Sequence, residues 1–86
     1  MPASTFQMVK LDNAILRALR DHGPAATYVI RNRLNWPDLR TDHVLRACRR
    51  LERFEHVAEV RSRYTTMKTW EITEIGRQHL VSWAVG

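Results

Sequence analysis

Twelve of the fourteen cationic side chains in this 86-residue chain are arginine. Arginine carries a planar, permanent positive fork that matches a phosphate or the edge of a guanine better than a lysine ammonium does. The spacing of these residues is uneven. Between positions 31 and 68 stand Arg31, Arg33, Arg40, Arg46, Arg49, Arg50, Arg53, Arg61, Arg63 and Lys68, against Asp38, Asp42, Glu52, Glu55 and Glu59. That segment therefore holds the entire formal charge of +5, and the rest of the chain is neutral. A local positive field of this kind attracts polyanions, although a bland solvated surface on a short chain can carry the same bias.

Other chemistry finds little footing. His22, His43, His56 and His79 are scattered, with no His-x-x-x-His or Cys-x-x-Cys spacing. His43 and Cys48 lie five apart, about 140° apart around a helix, so one helix cannot bring both to a metal. Neither a glycine-rich phosphate loop nor a nucleophile–base pair emerges, and the expectation is a protein with no catalytic residues, no metal and no cofactor, not an enzyme. Cys48, the lone cysteine, cannot close an intrachain disulfide and reads as a small buried hydrophobe. No apolar run approaches the ~18 to 20 residues of a membrane span. The opening Met1-Pro2-Ala3-Ser4-Thr5 lacks the basic and apolar regions of a signal peptide. These features lead us to expect a cytoplasmic protein without a membrane partner.

The elements that must position the arginines can be read from periodicity. At 10.1 kDa, with 44% hydrophobic and 27% charged residues, the chain has room for one small core and one domain. Residues 1–7 show no period and are expected to form a flexible N-terminal arm, with a folded domain over 8–86. From Met8 to Asp21, Leu11, Ala14, Ile15, Ala18 and Leu19 recur at helical spacing until His22-Gly23-Pro24 ends the pattern. Thr27 is a candidate N-cap for a second helix burying Val29, Ile30 and Leu34, and Asn35-Trp36-Pro37-Asp38 reads as a turn. A third helix is expected from Arg40 or Thr41 to Phe54. On it Val44, Ala47, Cys48, Leu51 and Phe54 form an apolar stripe opposite Asp42, Arg46, Arg49 and Arg53, with His43 and Arg50 beside them.

Beyond Phe54, Val57–Arg61 and Thr69–Ile72 have the β-branched and aromatic content of two strands, predicted to pair as a hairpin around the polar, basic loop 62–68. Thr73 then offers an N-cap for a last helix with apolar Ile75, Leu80, Trp83 and Ala84. The fold class is α+β: three helices, a two- or three-stranded antiparallel wing and a C-terminal helix.

Two helices joined by a turn, the second with a basic outer face, followed at once by a hairpin with a basic tip, have the layout of a winged helix-turn-helix. In detail, Leu11-Asp12 through Ile15-Leu16 and Leu19 to Gly23-Pro24, Leu39 through Arg50-Leu51-Glu52 to Val57, and Trp70-Glu71-Ile72-Thr73-Glu74-Ile75-Gly76-Arg77 together resemble the winged-helix regulators of the MarR, ArsR and PadR kind over residues 10–80. Three positions depart from that pattern. Glu55 stands where a helix-ending glycine is usual, the turn before the third helix is long, and Leu45 lies near the arginine face where a polar residue is more common. Leu45 leaves room for contact with a thymine methyl or with a protein.

The resemblance implies a small sequence-specific regulator, a repressor, bound to double-stranded DNA. Its third helix, about 40–54, would enter the major groove with Arg40, Thr41, Asp42, His43, Arg46 and Arg49 on or near base edges, and Arg50 and Arg53 on phosphates. Arg61, Arg63, Tyr64 and Lys68 would serve the wing, where Tyr64 reads equally as a solvent-facing loop residue. Trp36, Trp70 and Trp83 are expected to pack in a core or an interface. One recognition helix and one wing bury only ~600 to 1,000 Å² on DNA, so a homodimer is expected, with Phe6, Met8, Val81 and Trp83 at its interface. Phe6 and Trp83 could instead fold back on the monomer core. An alternative reading is a winged helix used as a protein-interaction module, an assembly subunit or a small inhibitor of a nucleic-acid-binding complex.

Overall fold

The computed structural model describes residues 3–61 and 68–85, and the side chains of 8–61 and 68–82. Its elements are α1 (Ala3–His22), β1 (Ala25–Ala26), α2 (Thr27–Leu34), α3 (Thr41–Arg53), β2 (Val57–Val60), β3 (Thr69–Ile72) and α4 (Glu74–Val85). The layout is a winged helix, as expected. Because no glycine or proline interrupts Ala3–His22, α1 starts at Ala3, so residues 3–7 are helical where an arm was predicted. Gly23, at φ 84°, ends it in the left-handed conformation and donates its N–H to the Leu19 carbonyl at 2.9 Å.

The sheet is three-stranded, in the order β1-β3-β2, and antiparallel throughout. Val57 pairs with Ile72 and Val60 with Thr69. The two-residue β1 is the third strand, with Ala25 opposite Trp70. One core follows, in which Ile15, Leu16 and Leu19 of α1 meet Ile30, Val44, Ala47, Cys48 and Leu51 of α2 and α3, closed by Val57, Trp70, Ile72 and Leu80. Trp70 is fully buried, and Trp36 packs partly buried against the same cluster with the Lys10 ammonium over its ring at 5.8 Å.

Three local expectations change. Thr27 is the first residue of α2 rather than its cap. Its hydroxyl accepts from Trp70 Nε1 at 2.9 Å and donates to the Lys68 carbonyl at 3.3 Å, which satisfies the indole of the most deeply buried aromatic. Phe54, predicted in the apolar stripe, lies just past the last turn of α3 and is exposed. Ile75, in the first turn of α4, is also exposed. The α2–α3 connection is long, as expected, running over residues 35–40 with two left-handed residues, Asn35 and Asp38.

Thr73 does cap α4, its Oγ1 accepting from the Gly76 N–H at 3.0 Å. Gly76 is buried against the end of α3, where a Cβ would overlap the His56 carbonyl oxygen. Among the described residues no helix is long and apolar enough to cross a membrane.

Candidate nucleic-acid interface

The outer face of α3 rises from its apolar stripe. With Val44, Ala47, Cys48 and Leu51 buried, the helical repeat turns Thr41, Arg46, Arg49 and Arg53 to solvent, with Asp42 and Leu45 half-buried at the margin. Capping organises the N-terminal end. The Arg40 backbone N–H donates to His43 Nδ1 at 3.1 Å, so His43 is held against the start of its own helix.

Asp42 works against the cations around it. Its carboxylate accepts from Arg40 Nε at 3.1 Å and Nη2 at 3.3 Å, and Arg46 Nη2 stands 3.9 Å away. The Arg40 hydrogen bonds hold the Asp42 carboxyl below the usual carboxylate range. Arg40 is therefore partly neutralised, whereas Arg49 and Arg53 make no ion pair among the described residues.

Arg50 does not belong to this face. Its guanidinium forks onto Asp12 of α1, Nε to Oδ2 at 3.0 Å and Nη2 to Oδ1 at 2.6 Å, with both side chains largely buried. With Nε and Nη2 both engaged, Arg50 clamps α1 to α3, where the sequence placed it beside the arginine face as a phosphate contact. Arg31 is similarly occupied, donating from Nε to the Leu39 carbonyl at 2.9 Å and so bracing the turn that sets the start of α3. Burial pushes the Cys48 thiol up to about 12, in keeping with a small hydrophobe.

The described part of the wing is less positive than its sequence. Lys68 Nζ pairs with Glu59 at 3.1 Å, and exposed Arg61 shares a groove of about 500 Å³ with Glu52, Glu55 and Glu59. Arg63 and Tyr64 lie outside the described residues. So do the side chains of Phe6 and Trp83, while Met8 and Val81 are exposed.

One feature of the face has no counterpart in the arginine pattern. Tyr28, half exposed at the second position of α2, joins Leu45, Ala26 and Thr41 around an apolar groove of about 540 Å³ bordered by Asp42 and Lys68. Leu45 is the part of this groove that the sequence signals; Tyr28, directly after Thr27, is the part that it does not.

No family model matches the chain, and no curated protein does. Solved structures that share its fold include two small winged-helix proteins. One is an apo, doubly substituted variant of Lactococcus lactis ZitR, with TM-score 0.73 and 18% identity over 96% of this chain. The other is a PadR-family transcription regulator from Clostridium difficile R20291, with TM-score 0.72 and 18% identity over 86% of this chain and 82% of its own. The present chain spans 61% of the ZitR chain.

Proposed function

We propose that this protein is a sequence-specific regulator of transcription that binds double-stranded DNA. The observation that carries the proposal is the outward row of Thr41, Arg46, Arg49 and Arg53 on α3, a helix whose opposite side is locked in the core and which is followed directly by the β2–β3 wing. A helix of this diameter fits the major groove, and the row would place Thr41, Asp42, Leu45, Arg46 and Arg49 toward base edges, with Arg53 and Arg40 toward phosphates. Loop 62–67, with Arg63 and Tyr64, would reach flanking DNA. The regulator role of the PadR-family neighbour supports the same reading. Repression by occupying promoter DNA is the mode that asks least of so small a domain, and it would act in the cytoplasm as a homodimer.

A second reading, docking on a protein, is favoured by the apolar groove between Tyr28 and Leu45. A mobility-shift assay on genomic fragments, with excess nonspecific duplex as competitor, separates the two. A discrete complex that survives the competitor supports the regulator. Binding that the competitor removes completely transfers the face to a protein partner.

A further inference from the structure

The groove between Tyr28 of α2 and Leu45 of α3 is continuous with the arginine row, because Thr41 both lines it and begins that row, and Leu45 stands one residue before Arg46. Its volume is about 540 Å³, and Tyr28 on its wall is 46% exposed. The charged groups that border it are already engaged. Both oxygens of Asp42 accept from Arg40, and Lys68 Nζ pairs with Glu59. The Thr27 hydroxyl serves Trp70 and the Lys68 carbonyl. What the groove offers a visitor is therefore the ring of Tyr28, Ala26, the Leu45 side chain and the Thr41 methyl. A phosphate or a polar base edge gains little from such walls, whereas an apolar group gains by leaving water.

On the wall of the major groove, the apolar substituent that a base pair presents is the methyl on C5 of thymine. Cytosine has a hydrogen at that position, and 5-methylcytosine has the methyl of thymine. A protein partner is a poorer match. Specific protein interfaces bury about 800 Å² on each side around an apolar centre, and here Asp42 and Lys68 border the apolar surface.

We propose that this groove receives the C5 methyl groups of pyrimidines, lined from α2 by Tyr28 and from α3 by Leu45, so that the protein treats 5-methylcytosine as it treats thymine. Its binding then responds to cytosine methylation within its site. This role rests on α3 being a DNA-binding helix, and it adds an α2 side chain, Tyr28, to the residues that set specificity.

The test uses a duplex that the full chain itself selects from random sequence, with binding followed by fluorescence anisotropy. Each thymine in turn is replaced by uracil, and at the thymines that respond the pair is changed to cytosine or 5-methylcytosine opposite guanine. Loss of a methyl that the groove buries should weaken binding about 4-fold, and the 5-methylcytosine duplex should bind about 4-fold more tightly than its cytosine counterpart. Tyr28→Ala truncates a half-exposed side chain and should fold normally by circular dichroism. It should narrow both differences to less than about 2-fold, whereas Tyr28→Phe, which keeps the ring, should retain them. If the alanine variant does not fold, Tyr28→Gln carries the same comparison. A selected duplex bound equally with thymine and uracil at every position overturns the methyl-binding role while leaving the regulator reading intact. So does a methyl effect undiminished in the folded Tyr28 variant. Failure to select any duplex overturns both, and the groove then passes to a protein partner.

Discussion

Arg46 and Arg50 are four residues apart on one helix, yet the structure leaves one side chain in solvent and folds the other into a largely buried ion pair. The difference is Asp12, 38 residues upstream, whose approach to Arg50 depends on how α1 crosses α3 and leaves no trace in local periodicity. Replacing Arg46 by alanine should leave the thermal midpoint unchanged, since the side chain is three-quarters exposed, and should weaken a specific site by ~1–3 kcal/mol if it reads a base. Equal weakening on all duplexes would make it a phosphate contact instead. Arg50→Ala strands the Asp12 carboxylate in a largely buried place. It should lower stability by about 1–3 kcal/mol in denaturant melts, less than a fully buried pair because some solvent reaches both groups. Leu45 offers a cleaner probe of base contact. If its side chain meets a thymine methyl, uracil substituted for thymine at that one position should cost the wild-type protein several-fold in affinity, and the Leu45→Ala protein nothing. Equal losses in both proteins would remove Leu45 from the interface.

Most of the elements were legible because each is bounded by residues with a physical reason to stop or start a helix: Gly23-Pro24 after α1, Asn35 through Asp38 after α2, and Thr73 before α4. Thr27 was misread as a cap because only the sheet reveals that its hydroxyl is needed by Trp70. The exit of α3 was legible as an anomaly, and the structure shows its form. The His56 N–H returns to the Leu51 carbonyl and the Glu55 N–H to the Glu52 carbonyl, both at 2.9 Å, with Glu55 left-handed at φ 62°. This is a Schellman ending with glutamate where glycine fits best, and a side chain there costs ~1 kcal/mol. Glu55→Gly should therefore raise the unfolding free energy by up to about 1 kcal/mol, less the backbone freedom it adds to the unfolded chain. A loss of stability would show that the glutamate makes compensating contacts. His56, next in the chain, is held below its ordinary imidazole value by burial and then by the neighbouring His79, with Asp12 opposing. The unfolded chain thus takes up a proton at a higher pH than the native one. Stability should be full above the ordinary histidine value of 6.5 and fall as pH drops from there toward the lower native value. A thermal midpoint that declines over that range in the wild type and less steeply in His56→Phe is the expected result.

On the scale of the whole molecule, the charge read along the chain overstates the field that a partner would meet. Of the ten cations between 31 and 68, Arg40, Arg50 and Lys68 are paired with carboxylates, and Arg46 stands near one. Among the described residues that leaves Arg31 and Arg33 on α2, Arg49 and Arg53 on α3, and Arg61 after β2, so the unpaired charge on α3 itself is small and offers few phosphate contacts. Two copies related by a two-fold axis would double them, with log affinity falling against log salt by about 0.9 for each phosphate contact. The dimensions suit this arrangement: the molecule extends 39 Å along its longest axis, and half-sites read from one side of the duplex lie ~34–36 Å apart. Exposed Met8 and Val81, on α1 and α4, are available to bury between copies. Sedimentation equilibrium at micromolar concentration should then give about twice 10.1 kDa, and a palindromic site should bind one dimer cooperatively. Inserting half a helical turn between the half-sites, about 5 base pairs, would rotate one of them to the far side of the duplex and should abolish that cooperativity, while a full turn, about 10, should restore part of it. A protein that sediments at 10.1 kDa both alone and on its site, and ignores the insertion, acts as a monomer. Its specificity would then have to come from a single α3 and its wing.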